Sequence, residues 1–251
     1  MRPQRSQQAF APRLATDALF RTRLLIAAIV PAHNEADHIG ACVRSLSIAT
    51  RCCRLDGEPV LVVVVLDDCD DATGAIARDA GAVVLAVQAR NVGTARAAGA
   101  EFALDAGARW LAFTDADSVV APEWFADQLD LHSDAVCGTV AVRDWGVYGE
   151  QMQKHYERTY TDADGHQHIH GANLGVSAAA YCRAGGFKPL TSSEDVALVE
   201  ALRNTGANIA WSARPRVETS ARKTFRAPLG FGATLLRIDQ ESRVVAASEH
   251  S

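Results

Sequence analysis

The sequence lacks long apolar runs and any excess of basic charge, and each absence excludes a class of protein. No apolar stretch approaches the roughly 20 residues that a membrane-spanning helix requires, so no transmembrane segment is predicted. The formal net charge is −5 and the pI is about 5.9. Because nucleic-acid-binding surfaces are normally basic, no nucleic-acid partner is predicted.

The two common glycine-rich nucleotide-binding loops are also missing. No G-x-G-x-x-G follows the first predicted strand, and no G-x-x-x-x-G-K-[ST] occurs anywhere in the chain. These absences argue against a dinucleotide-dependent dehydrogenase and against a P-loop NTPase. A phosphate group would therefore have to be held by a metal ion and by side chains.

Cysteine spacing and the start of the chain bear on the compartment. The six cysteines include no C-x-x-C pair, and most lie in apolar surroundings, which predicts small buried side chains with free thiols. Residues 1–23 contain no continuous apolar segment, so no secretory signal is predicted and this lead-in is expected to be poorly ordered. Together these features predict a cytoplasmic protein. Contact of the lead-in with a membrane surface is the less favoured alternative.

What the chain does contain is an alternation of short apolar runs and helical segments. Such alternation is typical of βαβ units and a mostly parallel sheet, so the predicted fold class is α/β. Strands are predicted over residues 24–30, 60–66, 82–87 and 110–114, with helices from residue 39, over 72–80 and over 94–106. Later elements are predicted as a strand over 135–142, a helix or loop over 148–160, a helix over 192–204 and short strands over 209–211 and 217–220.

One of these strands runs directly into two carboxylates, Asp115 and Asp117. In an extended chain both side chains would point to one side, at the carboxyl end of a buried strand where open α/β sheets bind ligands. Two hard oxygen donors suit Mg²⁺ or Mn²⁺ held against a diphosphate. The alternative is a strand-to-helix turn, because Asp and Ser are common turn residues.

Polar residues also follow the other predicted strands. They are Asn34 and Glu35 after the first strand, Asp67 after the second, and Arg90 and Asn91 after the third. Right-handed crossovers bring the carboxyl ends of parallel strands to one edge of the sheet. We therefore expect a single site at this edge.

The order of these motifs resembles the GT-A glycosyltransferases of the large inverting family 2. The chain departs from the family pattern at several positions, among them Leu66 in place of the first acid of D-D-G-S-T-D-G-T and Ala97 in place of the Asn of A-R-N-x-G. The matching segments are V-P-x-x-N-E at 30–35, D-D-G-S-T-D-G-T at 66–73, A-R-N-x-G at 95–99, F-x-D-A-D at 113–117, G-A-N at 171–173, G-G-F at 185–187 and E-D at 194–195. The resemblance covers roughly residues 26–220.

The resemblance implies one Rossmann-like GT-A domain over residues 24–221, with a mostly parallel central sheet flanked by helices. Residues 24–118 would form its nucleotide-binding half and residues 119–221 a mixed acceptor and catalytic half. The basic tail, residues 222–251, would either close over the diphosphate as a lid or remain a solvated loop. The tail residues that suggest a lid are Arg222, Lys223, Arg226, Gly230 and Gly232.

The implied activity is transfer of a sugar, with inversion, from a nucleotide-diphosphate donor to an acceptor hydroxyl. The donor is expected to be UDP-linked, and the enzyme a hexosyltransferase that uses Mg²⁺ or Mn²⁺. Asp117 would be the principal metal ligand, with Asp115 contacting the metal or the donor ribose. Asp67 would accept a hydrogen bond from the base, and Arg96 would contact base or phosphate. Lining of the base pocket is implied for Pro31, Ala32 and Glu35.

Three of these roles have structural alternatives. Arg96 would otherwise be a surface arginine on a helix, and Glu35 an acid in the first turn of a helix. Asp195 is the candidate general base, since inversion needs a carboxylate that takes the proton from the acceptor hydroxyl. Its alternative is capping, because Ser192-x-x-Asp195 before an apolar segment is a capping-box signature.

The acceptor is not identified by any pattern, although residues 142–170 are expected to shape its pocket. His166, His168 and His170 alternate, so in a strand they would share one face. Acceptor-loop or structural histidines are favoured over a metal site. Alternatives to an inverting transferase are a retaining GT-A enzyme, a disfavoured sugar-1-phosphate nucleotidyltransferase and a non-catalytic nucleotide-sugar binding module. The oligomeric state is left open.

Overall fold

A computed structural model describes residues 25–142, 145 and 149–220. The predicted lead-in over 1–23 and the predicted basic tail over 222–251 lie outside the described residues. The strands are β1 Leu25–Ala32, β2 Val60–Asp67, β3 Val83–Val87, β4 Ala108–Phe113, β5 Val119–Val120, β6 Ala135–Val142, β7 Leu174–Ser177 and β8 Ile209–Thr219. The helices are α1 Ile39–Ala49, α2 Thr73–Asp79, α3 Val92–Asp105, α4 Trp124–Leu129, α5 Glu150–Thr159, α6 Ala178–Ala184 and α7 Glu194–Asn204.

The described strands form one sheet in the order β3-β2-β1-β4-β7-β6-β8-β5. The first four in this order pair in parallel, which confirms the predicted α/β class. β7 is antiparallel to both β4 and β6, so β4 and β6 run in the same direction. The carboxyl ends of β1, β2, β4 and β6 therefore meet at one edge of the sheet, as the strand-end residues predicted.

The central strand β1 shows why its sequence is apolar throughout. Side chains alternate between the two faces of a strand, and here both faces are covered. Ile26, Ala28 and Val30 belong to the core layer that includes α1, whereas Ala27 and Ile29 belong to the layer that includes α3. A strand buried on both faces reads as a continuous apolar run.

The sequence predicted that β1 ends before Pro31, but the strand continues to Ala32. Pairing with β4 ends at Ile29 and Phe113, and the backbone N–H of Thr114 donates to the carbonyl of Ile29. Pro31 lies two residues further on, so its nitrogen faces the same side, beyond the end of β4. A proline is tolerated there because no ladder hydrogen bond is lost.

Gly99 allows helix α3 to lie close against the sheet. A Cβ at this position would stand 2.6 Å from Ile29 Cγ2 and 2.9 Å from Val65 Cγ2. Both methyl groups are attached to branched Cβ atoms in buried strands, so neither can move away easily. The backbone of α3 therefore requires a residue without a side chain at position 99.

We predict that Gly99→Ala will destabilise the protein by about 1–3 kcal/mol, because the added methyl overpacks the core. Alanine favours a helix over glycine by nearly ~1 kcal/mol, so a loss of stability would identify packing as the dominant effect. Urea unfolding measures the difference. Glu101→Ala, an exposed change on the same helix, should stay within about 0.5 kcal/mol of wild type. Equal or higher stability of Gly99→Ala would contradict the close-packing argument.

Other predictions about the second half need correction. The two short strands predicted over 209–211 and 217–220 are one strand, β8. Its register shifts against β6 between Gly138 and Val140, so residues 213–216, which include Pro215, stand opposite a single residue. This irregular segment is what made the strand look like two. The sequence also gave no signal for the short elements β5, α4 and α6.

The cysteines are free thiols as predicted, but most of them are not buried. Only Cys42 and Cys137 are buried, while Cys53 and Cys182 are exposed. Cys53 begins a short 3₁₀ turn after α1, where an apolar neighbourhood in sequence does not mean an apolar neighbourhood in space. In the part of the chain that the structure describes, none of the helices is long and apolar enough to cross a membrane.

Candidate active site

The loops that follow β1 and β2 are joined by hydrogen bonds into one platform. Asn34, whose φ is 52°, donates from Nδ2 to Asp70 Oδ1 at 2.6 Å, and its Oδ1 accepts from the N–H of Asp70 at 2.9 Å. The N–H of Glu35 donates to Thr73 Oγ1 at 2.7 Å. The two strand-end segments predicted to meet at this edge are therefore in direct contact.

Glu35 is buried within this platform and precedes helix α1 rather than lying in its first turn. The alternative of a first-turn helix acid is therefore wrong. Pro31 and Ala32 are also buried, at the carboxyl end of β1. All three residues lie at the sheet edge where the resemblance places a base pocket.

Asp67 is buried at the end of β2, and its carboxylate holds the loop between β3 and α3. Oδ1 accepts from the N–H groups of Ala89 and Arg90 at 2.8 Å each, and Oδ2 accepts from the N–H of Asn91 at 2.6 Å. A carboxylate has about four acceptor positions, so these three bonds leave room for one more donor. The predicted hydrogen bond to a nucleotide base stays a prediction.

Arg96 lies in the interior, and the alternative of a surface arginine is wrong. Its side chain is 3% exposed, and the guanidinium donates to Asp115 Oδ1 at 2.6 Å and to Glu194 Oε1. We call these three residues the arginine network. Burial by itself would lower the pKa of Arg96, but the carboxylates of Asp115 and Glu194 raise it above its ordinary value. The network therefore joins the end of β4 to the start of α7.

Glu194 is a part of this network that the sequence did not reveal. Its side chain is 7% exposed, and burial raises its pKa while the neighbouring Arg96 works in the opposite direction. In the sequence it stood only as half of an E-D pair. No local pattern distinguishes it from an ordinary first-turn helix acid.

Asp115 and Asp117 lie at the sheet edge, but the segment between them is not extended. β4 ends at Phe113, and the N–H of Ser118 donates to the carbonyl of Asp115 at 3.1 Å, which closes a turn. The prediction that both acids share the face of an extended strand is therefore wrong in geometry. The backbone forms the turn that was the alternative prediction. Both acids nevertheless follow the carboxyl end of β4.

Cys42 of helix α1 locates both carboxylates of this turn. Its thiol donates to the carbonyl of Asp115 at 3.4 Å. Burial raises the pKa of Cys42, and the charges of Asp115 and Asp117 raise it further, so both acids lie near this thiol. Cys42 is therefore a structural hydrogen-bond donor under the turn rather than a nucleophile.

The carboxylates of this turn fit a metal ion that is also held by the phosphates of a bound substrate. No group of three or more His, Cys, Asp or Glu side chains that could hold a metal occurs among the described residues. Mg²⁺ usually binds through one or two carboxylates together with substrate phosphates rather than in an all-protein cage. Two aspartates at an open sheet edge satisfy that requirement, although one oxygen of Asp115 is committed to Arg96.

Asp195 stands at the start of α7, and it is not part of a capping box. The N-cap is Ser193, whose φ is 59° and whose side chain makes no capping hydrogen bond. Asp195 Oδ2 instead accepts from the N–H of Gly171 at 2.8 Å, and Oδ1 accepts from the N–H of Val196 at 2.8 Å. The capping-box alternative at Ser192 is therefore wrong, because the helix begins one residue later than that signature requires.

Gly171 packs directly beneath the arginine network. A Cβ at this position would overlap the guanidinium of Arg96, and the N–H of the same residue is held by Asp195. Gly171 therefore lies against both Arg96 and Asp195. Asp115, Glu194 and Asp195 are thus parts of one connected cluster.

The three alternating histidines form a stacked row rather than a metal site. Ring centroids are 5.4 Å apart for His166 and His168, and 5.8 Å apart for His168 and His170. Tyr160 stacks on His168 at 4.2 Å, and its hydroxyl lies 3.0 Å from Nε2 of His170. Burial lowers the pKa of His170 to about 3, so this ring is neutral at pH 7. Stacked rings present faces to each other, which favours the structural interpretation.

Comparison with known proteins shows a family to which the chain is similar. The family model described as glycosyl transferase family 2 matches residues 27–188. The chain has no match among the curated proteins.

Solved structures share the fold at low sequence identity. TarS of S. aureus in complex with UDP-GlcNAc aligns with a TM-score of 0.63 and 17% identity, over 86% of this chain and 65% of that one. The mannosyltransferase PcManGT from Pyrobaculum calidifontis in complex with GDP-Man and Mn²⁺ aligns with a TM-score of 0.57 and 19% identity, over 82% and 60%. Glucosyl-3-phosphoglycerate synthase from Mycobacterium tuberculosis aligns with a TM-score of 0.56 and 18% identity, over 80% and 73%. The chain thus spans at most 65% of the TarS structures that it matches.

Proposed function

Because the chain belongs to glycosyl transferase family 2, we propose that it transfers a sugar from a nucleotide-diphosphate donor to an acceptor hydroxyl with inversion. Its fold is that of the GT-A glycosyltransferases. The observation that carries the proposal is the arginine network, which holds Asp115 of the strand-end turn and the start of α7 around one buried guanidinium. The residues proposed to bind the donor and the residue proposed to activate the acceptor hydroxyl therefore belong to one cluster.

The donor nucleotide is assigned to the platform at the ends of β1 and β2. Asp67 and the buried residues Pro31, Ala32 and Glu35 lie there, at the sheet edge where α/β folds bind nucleotides. A UDP-linked donor is favoured because TarS was solved with UDP-GlcNAc and with UDP. PcManGT was solved with GDP-Man, so GDP is the alternative that an experiment has to separate.

Asp117 and the second oxygen of Asp115 are the proposed ligands of Mg²⁺ or Mn²⁺. When bound, the ion would neutralise the charge that develops on the departing diphosphate. Arg96 fixes the orientation of Asp115 through its ion pair, so its proposed role is to position that ligand. This differs from the direct contact with base or phosphate that the resemblance implied.

Asp195 is the proposed general base, which takes the proton from the attacking acceptor hydroxyl. Its carboxylate is fixed by the N–H of Gly171 and lies at the positive end of α7, where the helix dipole stabilises an anion. The ionised form is the one that can accept a proton. Each carboxylate oxygen also retains a second acceptor position for the hydroxyl.

We predict that UDP binding depends on Mn²⁺ and is weakened at least tenfold, about 1.4 kcal/mol, by Asp117→Ala. Loss of a carboxylate removes part of the charge that holds the ion against the diphosphate. Calorimetric titration of UDP and of GDP, with and without Mn²⁺, measures the effect. Asp105→Ala, which removes an exposed acid at the end of α3, serves as the control and should bind as wild type does. If neither nucleotide binds under any metal condition, the donor site is wrongly assigned.

A further inference from the structure

A cleft opens beside the candidate active site, between the end of β6 and helix α5. Its volume is about 770 Å³, which is within the range of small-molecule sites. We call it the aromatic cleft. Residues of mixed character line it, including Val140, Val142, Trp145, Gln153, Glu157 and Asp162.

The floor of the aromatic cleft is held in place by two tyrosines. Tyr156 donates from its hydroxyl to the carbonyl of Val140 at 2.8 Å, and the N–H of Val140 donates to the Tyr160 hydroxyl at 2.9 Å. The two rings stack with centroids 4.5 Å apart, and Trp145 packs on Tyr156 at 5.2 Å. These contacts fix α5 on the end of β6 and leave its Gln153 and Glu157 side chains to line the cleft.

The aromatic cleft is close to the turn that carries Asp115 and Asp117. Ser118 Oγ, at the end of this turn, donates to Thr219 Oγ1 of β8 at 3.1 Å. Thr219 pairs with Val142 of β6, which lines the cleft. Since neighbouring strands lie about 5 Å apart, the cleft begins on the order of 10 Å from the turn. It is separate from the platform at the ends of β1 and β2.

The charges around the aromatic cleft disfavour an anionic ligand. Among the described residues, no lysine or arginine lines it, whereas three acids do: Glu150, Glu157 and Asp162. Arg216 contacts both oxygens of Asp162 at 2.6 Å, and Lys154 lies 3.2 Å from Glu150. In each of these two ion pairs the negative charge is balanced by a positive one. The pairing leaves Glu157, which accepts from Gln153 at 2.9 Å, as a net negative charge.

We propose that the aromatic cleft binds the acceptor and that this acceptor is a neutral saccharide. Carboxylate and amide groups on α5 match the hydroxyl groups of a sugar, while Val140, Val142 and Trp145 offer apolar surface to its C–H faces. Among the residues that the structure describes, no lysine or arginine lines the cleft to face a phosphate or carboxylate on the ligand. The assignment rests on the proposed sugar transfer, because a binding cleft becomes an acceptor site only next to a donor.

The test compares ligands that differ in charge and needs no catalysis. Methyl β-D-glucopyranoside, cellobiose and glucose 6-phosphate are titrated into the full chain and followed by NMR, in the presence of UDP and Mn²⁺. We expect a neutral saccharide to bind at least about tenfold more tightly than glucose 6-phosphate, because Glu157 repels the phosphate. Binding of the monosaccharide indicates a free sugar as acceptor, and binding of cellobiose alone indicates the end of a glycan. Absence of binding by both neutral ligands overturns the proposal, and so does equal or tighter binding of glucose 6-phosphate.

A variant that fills the aromatic cleft locates the bound saccharide. Gln153→Trp should weaken the neutral saccharide at least tenfold and leave UDP affinity unchanged. Gln151→Trp, which introduces the same side chain on the exposed side of the same helix, should bind both ligands as wild type does. Unchanged saccharide binding by Gln153→Trp contradicts the assignment. If the wild-type protein does not bind UDP, the proposed function fails instead. Failure of the acceptor assignment and failure of the proposed function are therefore distinguishable.

Discussion

Asp195→Asn is expected to reduce sugar transfer by about 10²–10⁴-fold, which is the range that general-base catalysis contributes. The amide cannot take the proton of the attacking hydroxyl, but its oxygen can still accept the hydrogen bond that Gly171 donates to Asp195, and only the bond from the adjacent Val196 N–H is lost. The fold and the donor site should therefore be preserved. The measurements are the rate at which nucleotide is released from the donor sugar and, separately, the affinity for UDP.

Glu200→Gln is the matched control for this change, because Glu200 is an exposed acid on the same helix. It should leave both the rate and the UDP affinity as they are in wild type. If Asp195→Asn releases nucleotide from the donor sugar at the wild-type rate, Asp195 is not the general base, and the retaining alternative is favoured. Tight UDP binding without any release by the wild-type protein would favour a non-catalytic binding module.

Arg96→Met is expected to lower the free energy of unfolding by about 3–5 kcal/mol, because it leaves the carboxylate of Glu194 buried without its partner. Glu194 is 7% exposed and Arg96 is 3% exposed, so solvent cannot replace the lost contact. The midpoint of thermal unfolding should fall by about 10 °C for a domain of this size. Arg51→Met, at an exposed position after α1, should change stability by no more than about 0.5 kcal/mol.

The loss in Arg96→Met should depend on pH in a defined direction. Burial raises the pKa of Glu194 and Arg96 opposes that rise, so removing the arginine raises the pKa of this carboxyl further. A carboxyl whose pKa is higher in the folded than in the unfolded state loses stability as pH rises between the two values. The variant should therefore be less destabilised near pH 5 than near pH 8.

A second substitution tests the cause of this effect. Arg96→Met together with Glu194→Gln removes the buried charge, so the double variant should be more stable than Arg96→Met alone. Urea unfolding of both variants at the two pH values measures the difference. If the double variant is no more stable and the pH dependence is absent, the loss arises from packing and not from the unpaired carboxylate.

The sequence was most informative where the pattern is local. The apolar runs predicted β1, β2, β3, β4 and β6 to within two residues at either end. For the central strands β1 and β4 the reason is burial on both faces, which requires an apolar residue at nearly every position, whereas β3 at the edge of the sheet is only partly buried. Gly81 and Gly107, which follow α2 and α3, have φ values of 97° and 89°, a conformation that glycine adopts without strain. The order of the motifs also indicated the family that the comparison then showed.

The sequence by itself thus determined the α/β class, the edge of the sheet where the polar residues meet and the acids placed there. Only the tertiary structure decided what those residues touch. Arg96 and Glu194 are 98 positions apart, and no local periodicity reports a pairing across that separation. Asp195 and Gly171 are also distant in sequence. Their hydrogen bond occurs instead of the capping box that the local spacing favoured. Local patterns report which side of an element is buried, whereas a partner is chosen by how the elements pack. The aromatic cleft likewise exists only because α5 lies across the end of β6.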